Sequence, residues 1–307
     1  MNSPGTISNS SSRITRFQAW KTAARTHTLW ASVAPVTVGT GLAVGAGVFR
    51  WDAFWMTLTV GVSIQVAANF ANDVSDAARS ADTPDRIGPR RMVAEGVISP
   101  RNMWIAAWIA VAVALLAGLY LVLIAGLMLV WVGLLSVLAM LTYVGGPLPY
   151  GYRGLGEVSV FVFFGLVATV GTRFVHDMTA PVEAWTLAIP MGMLASAILV
   201  ANNLRDIGTD ARVGKRTLAV MMGAARSRIF YAVLVGLSFA VIAGAAFLGA
   251  TPLATSATLA LVPFAIVPLR AVLRGAKGAA LIGVLKATSR LQMGVALILA
   301  VTAAIWT

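Results

Sequence analysis

Apolar stretches close to the length of a membrane-spanning helix recur along almost the whole chain. A helix needs about 20 predominantly apolar residues to cross the hydrocarbon core of a bilayer. Of the 307 residues, 59% are hydrophobic and 11% are charged, whereas roughly a quarter of the residues in a soluble domain are charged. No segment has the mixed composition of a separate soluble domain. The sequence therefore predicts an all-α integral membrane protein with a single membrane domain.

Nine membrane spans are predicted from the apolar stretches. We expect residues 1–27 to form a cytoplasmic N-terminal tail and residues 28–307 to form the membrane domain. The tail is polar and Ser-rich and lacks an apolar core with a small-residue cleavage site, so a tail leading into a basic amphipathic stretch is expected rather than a signal peptide. The predicted spans are 28–48, 53–72, 103–120, 122–142, 156–175, 184–203, 229–249, 253–272 and 287–306.

The basic residues indicate the orientation of these spans. With a cytoplasmic N-terminus, all but Arg50 and Arg173 of the 23 Lys and Arg residues fall on the cytoplasmic side, as the positive-inside rule requires. This predicts a multi-pass protein of the cell (plasma) membrane. The net charge of +12 is then explained by the cytoplasmic face, so no nucleic-acid partner is expected. The absence of cysteine excludes disulfides and thiolate metal sites.

A polar stripe follows the second predicted span, in the segment NFANDVSD. Asn69, Asn72, Asp73 and Asp76 are three, four and seven positions apart, so in a helix their side chains share one face. Acidic residues contribute little to membrane topology. Ionisable groups in a membrane bundle are expensive and usually functional, and this stripe is therefore interpreted as a site.

A second polar stripe follows the sixth predicted span, in ANNLRDIGTDARVGKRTLAV. Asn202, Asp206 and Asp210 are spaced four apart and stack along one helical face. The pattern Asn-x-x-x-Asp occurs in both stripes, which indicates a weak internal repeat whose two halves face each other across a shared cavity.

Basic residues follow both stripes, and together they favour one class of ligand. Carboxylates alone would repel a diphosphate, but Mg²⁺ binds carboxylates and phosphates together, and Arg and Lys neutralise the remaining phosphate oxygens. We therefore predict a diphosphate bound through Mg²⁺. The basic partners named from the sequence are Arg79, Arg86, Arg90, Arg91, Lys215 and Arg216.

A Gly- and Pro-rich loop, TYVGGPLPYGYRGLGE, lies between the two stripes and carries Tyr143, Tyr150 and Tyr152. These phenols are expected to contact an aromatic ring or a cation, or to belong to an interfacial aromatic belt. His27 is open between a substrate contact and a structural residue. The basic residues near the last two spans have no acids beside them and are expected to be flanking charges only: Arg270, Arg274, Lys277, Lys286 and Arg290.

Four ordered motifs resemble the UbiA superfamily of intramembrane prenyltransferases: NFANDVSD, SADTPDRIGP, PYGYRGLGE and NNLRDIGTDARVGKRTLAV. Within the superfamily they are similar to the menaquinone-pathway branch, which prenylates 1,4-dihydroxy-2-naphthoate. The resemblance implies nine transmembrane helices around a central cavity, with two aspartate-rich motifs at its cytoplasmic side.

The resemblance also implies roles for individual residues. Mg²⁺ would be held, mainly through the diphosphate, by Asp73, Asp76, Asp206 and Asp210. Separately from the resemblance, we hypothesise that Tyr143 and Tyr150 stabilise the cation-like prenyl carbon. The remaining implied substrate contacts are Asn69, Asn72, Arg79, Arg86, Arg90, Asn202, Lys215 and Arg216. The expected substrates are a polyprenyl diphosphate and 1,4-dihydroxy-2-naphthoate, and the expected surroundings are membrane lipid.

The chain departs from the superfamily pattern at two places. Ser80 stands where many members carry a third aspartate, with Asp82 and Asp85 nearby, and Thr26 and Trp30 stand where prolines are common. Two alternatives to naphthoate prenylation stay open: a related prenyltransferase with 4-hydroxybenzoate, homogentisate or another acceptor, and a secondary transporter. Transporter sites usually lie near the membrane midplane, whereas these acids fall at the cytoplasmic mouth.

Overall fold

The computed structural model describes residues 14–79, 88, 90–145 and 149–305. This part of the chain is helical and contains no strand, which confirms the predicted all-α class. Its helices are α1 (Arg16–Ala24), α2 (Trp30–Gly45), α3 (Trp51–Ala78), α4 (Pro100–Ala125), α5 (Met128–Val144), α6 (Gly156–Val160), α7 (Ala168–Asp177), α8 (Val182–Arg212), α9 (Leu218–Phe247), α10 (Val262–Leu273) and α11 (Ala279–Ala304).

Seven of the predicted spans coincide with helices that are long and apolar enough to cross a membrane. The other two, 28–48 and 122–142, coincide with α2 and α5, which are apolar but only 16 and 17 residues long. A helix of this length extends about 24 Å, less than the ~30 Å hydrocarbon core. The described residues therefore support a multi-pass membrane protein, and the crossing of the membrane by α2 and α5 stays a prediction.

Local signals in the sequence explain where several helices begin and end. Ser99 caps α4 by accepting a hydrogen bond from the backbone N–H of Asn102 at 3.3 Å, and Pro100 occupies the first helical position, where its missing N–H costs nothing. Thr217 caps α9 in the same way. Gly126, with φ of 97°, supplies the left-handed residue that allows α4 to turn almost directly into α5.

Helix α8 is the central helix of the bundle. In the 18-residue apolar segment of α8 that is long enough to span a membrane, 67% is buried inside the bundle, compared with 28% in the corresponding segment of α4. Leu187, Met191 and Leu194 on α8 are fully buried and belong to one core with Tyr231 of α9 and Leu299 of α11. The second polar stripe therefore lies at the end of the most enclosed helix, whereas α4 presents most of its surface outward.

The helix between residues 156 and 177 is interrupted by a π-helical stretch, Phe161–Val167. Such wider turns occur mostly as single bulges near functional sites. Gly165 in this stretch lies directly against Gly192 of α8, where a Cβ added to Gly165 would approach the Gly192 Cα to 2.6 Å. The close contact brings this helix onto the central one without a side chain between them.

Helix α1 is part of the packed bundle. Its capping box uses Thr15 and Gln18, and Ala19 is buried against α3. Trp20 makes an edge-on contact with Phe70 of α3, with ring centroids 5.7 Å apart. The basic amphipathic stretch expected at the end of the tail therefore forms a helix that covers α3 near the first polar stripe.

Glycines allow α2 and α11 to approach closely. A Cβ on Gly41 would lie 2.4 Å from the carbonyl oxygen of Ala300, and one on Gly45 would lie 2.0 Å from that of Ala303. Residue numbers increase in the same direction along both helices, from Gly41 and Ala300 to Gly45 and Ala303, so the two helices are parallel. Small residues at such contacts are typical of membrane helix pairs, because they let the backbones meet.

We expect Gly41→Ala to destabilise the protein by about 1–3 kcal/mol, because the new methyl group overpacks the α2–α11 contact. The same substitution at Gly244 of α9 is the matched control, since a Cβ there meets nothing within 4 Å. Thermal unfolding of both variants in detergent measures the difference. Equal losses at the two positions would contradict the proposed close contact.

Candidate active site

Asp76 lies near the end of α3, is 3% exposed and lines a large internal cavity. Its carboxylate forms an ion pair with Arg91, which is also buried. The hydroxyl of Tyr152 donates a second hydrogen bond to it at 2.6 Å. A buried carboxylate requires such compensation, because an unpaired charge in an apolar interior is strongly unfavourable.

Asp73, three residues earlier on α3, has a different environment. It is 1% exposed and is not among the residues that line the cavity. One carboxylate oxygen accepts from the backbone N–H of Met92 at 3.2 Å, and the other accepts from the N–H of Val93 at 3.1 Å. The resemblance placed Asp73 with the metal ligands, whereas the structure uses both its oxygens to hold the loop that carries Arg91.

The two asparagines of the first stripe line the cavity. The side-chain amide of Asn69 donates to the carbonyl of Ala24 at 2.9 Å and to the hydroxyl of Thr28 at 3.0 Å, so Asn69 attaches α3 to the end of α1 and to the turn before α2. The side-chain oxygen of Asn72 is buried and has no hydrogen-bond partner among the described residues. An orphaned acceptor on a cavity wall is suited to a cation or to a ligand donor.

The second stripe is organised by Arg205 of α8. Its guanidinium binds both oxygens of Asp206, at 2.8 and 2.5 Å, and also donates to the side-chain oxygen of Asn202 at 2.9 Å. One turn later, Asp210 lies 4.0 Å from the ammonium of Lys215. Each cavity carboxylate described here therefore has a cationic neighbour, whereas the sequence predicted these bases as partners of phosphate oxygens.

Tyr152 joins the two stripes and was not assigned to the site from the sequence. Besides donating to Asp76, its ring lies 4.7 Å from the ammonium of Lys215 and 5.5 Å from the guanidinium carbon of Arg79. Its carbonyl accepts from the backbone N–H of Arg216 at 3.0 Å. Burial, reinforced by the Asp76 carboxylate, raises the pKa of the Tyr152 phenol above its ordinary value, so the hydroxyl stays protonated as a donor.

Tyr152 of the central loop contacts the Lys215 cation, and whether the loop phenols contact a ligand stays a prediction. The sequence signal that could have assigned Tyr152 to the site is its position in the loop between the two polar stripes. Tyr143 and Tyr150 both line the cavity and make an edge-on ring contact, with centroids 5.4 Å apart. The Tyr150 hydroxyl donates to the carbonyl of Ala139 at 2.9 Å, which fixes its ring against the wall.

Several predicted basic contacts are not brought to the cavity. Arg79, Arg90 and Arg216 are absent from its described lining. Arg90 is largely exposed and pairs with Glu95, and this hydrogen bond raises the pKa of its guanidinium. Arg86, Ser80, Asp82, Asp85 and the side chain of His27 lie outside the described residues.

The cavity has a volume of about 920 Å³ and begins at the two aspartate stripes. It continues between apolar walls as far as Leu121 and Val175 near the opposite end of the bundle. Phe163 and Phe164 of the π-helical stretch form part of its wall. A pocket with polar groups at one end and a long apolar interior fits an amphipathic ligand with a charged head.

The oxygen donors at the cavity mouth fit a hard divalent cation. Asn72, Asp76, Asn202, Asp206 and Asp210 all line it, and carboxylate and amide oxygens are the protein ligands that Mg²⁺ prefers. No group of three acidic or imidazole side chains in the described part of the chain is close enough to hold a metal by itself. The donor set therefore suits a metal that is shared with the phosphates of a ligand.

The UbiA prenyltransferase family matches residues 32–286 of this chain. The protein belongs to this family. It is 42% identical over 215 residues to the 1,4-dihydroxy-2-naphthoate octaprenyltransferase of Mycobacterium tuberculosis, covering 70% of this chain and 73% of the relative. It is 39% identical over 230 residues to the Escherichia coli protein of the same name, covering 72% and 74% of the two chains.

Solved structures share the fold at low sequence identity. A UbiA homologue from Archaeoglobus fulgidus has a TM-score of 0.67 at 13% identity and covers 92% of this chain and 99% of its own. A second structure of a UbiA homologue from that organism, bound to DMAPP and Mg²⁺, has a TM-score of 0.62 at 13% identity, with the same coverage. These likenesses support the fold of the family independently of sequence.

We expect Asp73→Ala to increase hydrogen exchange at the backbone amides of Met92 and Val93, because the substitution removes both of their acceptors. Asp73→Asn should have a smaller effect, since it retains one acceptor oxygen. Hydrogen–deuterium exchange with mass spectrometry measures the change, and Asp206→Ala is the control that leaves these amides bonded. Unchanged exchange at residues 90–98 in Asp73→Ala would exclude the anchoring role.

Proposed function

We propose that the protein transfers a polyprenyl group from polyprenyl diphosphate to 1,4-dihydroxy-2-naphthoate with loss of the carboxyl group. The products are a demethylmenaquinone, diphosphate and carbon dioxide, which places the reaction in menaquinone biosynthesis. The observation that carries this proposal is the cavity of about 920 Å³, with charge-paired aspartates from α3 and α8 at its mouth and apolar walls beyond. The family and the names of the relatives supply the acceptor.

The diphosphate head is proposed to bind at the aspartate stripes. Asp76, Asp206 and Asp210, with the orphaned oxygen of Asn72, would hold Mg²⁺ together with the phosphates. When bound, Mg²⁺ supplies positive charge that stabilises the departing diphosphate. Asp73 contributes through the Arg91 loop, because both of its oxygens are already engaged by backbone amides.

Cationic side chains of the cavity wall are proposed to bind the remaining phosphate oxygens. Arg91, Arg205 and Lys215 line the cavity and now neutralise its carboxylates. Such donors stabilise the negative charge that develops as the carbon–oxygen bond to diphosphate breaks. Arg79, Arg90 and Arg216 do not line the cavity, and they are proposed to attract the anionic substrate at longer range. The same role is proposed for Arg86, which lies outside the described residues.

The apolar part of the cavity is proposed to hold the prenyl chain and the reacting carbon. As the bond to diphosphate breaks, the allylic carbon becomes cation-like, and the electron-rich naphthalene ring forms the new carbon–carbon bond. The carboxyl group leaves as carbon dioxide, and its bonding electrons stay with the ring. Tyr143, Tyr150 and Phe164 present aromatic faces or edges at the wall that can stabilise the cation, and the apolar lining excludes water.

The arrangement in the membrane is also proposed. Nine spans with a cytoplasmic N-terminus, residues 1–27 as a tail and residues 28–307 as the transferase domain would place both aspartate stripes at the cytoplasmic face of the plasma membrane. The asymmetric distribution of Lys and Arg supports this orientation. The substrate head would then enter from the side on which water-soluble Mg²⁺ is available.

We expect purified protein in lipid nanodiscs to form demethylmenaquinone from octaprenyl diphosphate, 1,4-dihydroxy-2-naphthoate and Mg²⁺, and to stop when the metal is chelated. Asp76→Asn and Asp206→Asn should each lower the rate about 100-fold or more, because they weaken the charge stabilisation of the leaving group. Asp52→Asn at the opposite end of the bundle is the control. Product chromatography and diphosphate release measure the reaction.

Other acceptors separate this proposal from its alternatives. A higher kcat/KM with 4-hydroxybenzoate or homogentisate than with the naphthoate would assign the protein to another acceptor. Absence of diphosphate release with every acceptor, in nanodiscs that keep the protein folded, would contradict prenyl transfer itself.

We expect Tyr152→Phe to lower the transfer rate about tenfold, because the hydroxyl that orients the Asp76 carboxylate is lost while the ring beside Lys215 remains. Tyr120→Phe is the matched control, since the Tyr120 hydroxyl donates to Asp52 at 2.7 Å near the opposite end of the bundle. Steady-state rates of both variants test whether the hydrogen bond from Tyr152 to Asp76 supports the reaction. Equal activities would show that the hydroxyl of Tyr152 does not orient the reacting site.

A further inference from the structure

Helix α11 contributes two cations to the cavity that the sequence assigned to the membrane boundary. Lys286 and Arg290 are one helical turn apart and both line the cavity, with Ser289 between them. Helix α11 contains no acidic residue. Within the described part of the chain, neither cation has an ion pair or a hydrogen bond from its side chain, in contrast to Arg91 and Arg205.

The charge balance of the cavity indicates that it receives more than one anionic group. Its described lining contains three carboxylates, those of Asp76, Asp206 and Asp210. It contains six cations: Arg25, Arg91, Arg205, Lys215, Lys286 and Arg290. Three of the six already neutralise the carboxylates, and Arg25 is an electrostatic neighbour of Asp73. The two cations of α11 are the ones with no acid assigned to them.

The register between α2 and α11 fixes the depth of these cations. Gly41 meets Ala300 and Gly45 meets Ala303 in parallel helices, so the same register places Lys286 level with Thr28. Thr28 accepts a hydrogen bond from Asn69, which precedes Asp76 by two helical turns. The Cα of Lys286 therefore lies about 10 Å farther along the bundle than that of Asp76, and the side chains of Lys286 and Arg290 are both exposed.

We propose that Lys286 and Arg290 form an anion subsite that binds the carboxylate of the aromatic acceptor. This inference rests on the proposed function and adds the position of the second substrate. A carboxylate is planar and suits the fork of an arginine guanidinium, and an ammonium one turn away adds a second charge-assisted hydrogen bond. The subsite orients the ring by its carboxylate beside the channel that receives the prenyl chain.

Arg290 also borders a smaller apolar groove, whose other walls include Leu261, Phe264 and Val267. Phe264 and Val267 are 68% exposed, so this groove faces outward from the bundle. An anionic lipid phosphate is therefore the competing source of negative charge at Arg290. Lys286 does not line this groove, and the cavity side of the pair favours the acceptor.

The test compares the binding of 1-hydroxy-2-naphthoate with that of its neutral amide, 1-hydroxy-2-naphthamide, by calorimetry in zwitterionic nanodiscs. We expect the wild-type protein to prefer the acid by about tenfold or more and Lys286→Gln/Arg290→Gln to lose this preference. The matched control is Arg274→Gln/Lys277→Gln, which removes two nearby cations that do not line the cavity. The two single variants, each expected to lose part of the preference, replace the double variant if it does not fold.

Turnover provides an independent readout of the same variants. The KM for 1,4-dihydroxy-2-naphthoate should rise by about tenfold or more, and the KM for octaprenyl diphosphate should stay the same. A retained preference for the acid, or an equal rise in the KM for octaprenyl diphosphate, would overturn the carboxylate subsite. Absence of the preference in zwitterionic nanodiscs, together with binding of anionic lipid that the wild-type protein and the matched control show and the Lys286→Gln/Arg290→Gln variant loses, would assign the pair to lipid instead.

The behaviour of the wild-type protein distinguishes failure of the carboxylate subsite from failure of the proposed prenyl transfer to naphthoate. If the wild-type protein binds neither the acid nor the amide and prenylates no naphthoate, the proposed function fails, and the subsite fails with it. If the wild-type protein prenylates the naphthoate but the double variant retains the acid preference, only the subsite fails.

Discussion

The neutralisation of buried carboxylates is the constraint on which the rest of the site depends. Removing a charge from water costs several kcal/mol unless a counter-charge and hydrogen bonds accompany it. Asp76 and Asp206 meet this requirement through Arg91 and Arg205. Arg91 can reach α3 only because its loop folds back over that helix, and Arg205 is supplied by the most buried helix of the bundle. Folding and charge pairing are therefore inseparable at this end of the molecule.

The same pairing prepares the site for a charged ligand. Arg91 and Arg205 hold the positions of the carboxylates, and they are chemically suited to exchange a carboxylate for a phosphate oxygen. Tyr152 connects the two halves, because it contacts Asp76 of α3 and the Lys215 that follows α8. In such an arrangement the arginines and the lysine can exchange a carboxylate partner for a phosphate partner while each buried charge keeps an opposite charge beside it.

Sequence reasoning was most successful where the physical signal is local. The helical class and the two polar stripes follow from hydropathy and from helical spacing, both of which are visible within a few turns of chain. The sequence predicted Lys286 and Arg290 as boundary charges. That both also line the cavity depends on which face of α11 turns inward, which local spacing does not show. The π-helical stretch at residues 161–167 packs against Gly192 of α8, and such a contact between distant segments is not visible in local composition.

The separation of Asp73 from Asp76 has a consequence for transplanting this motif. Residues three apart on a helix point about 60° away from each other, so one carboxylate is directed to the loop at Met92 and Val93 while the other is directed to the cavity. The spacing of the motif thus encodes a mechanical coupling as well as a ligand set. A designer who grafts the aspartates onto another helical bundle must graft the loop too, or the first of them becomes an uncompensated buried charge.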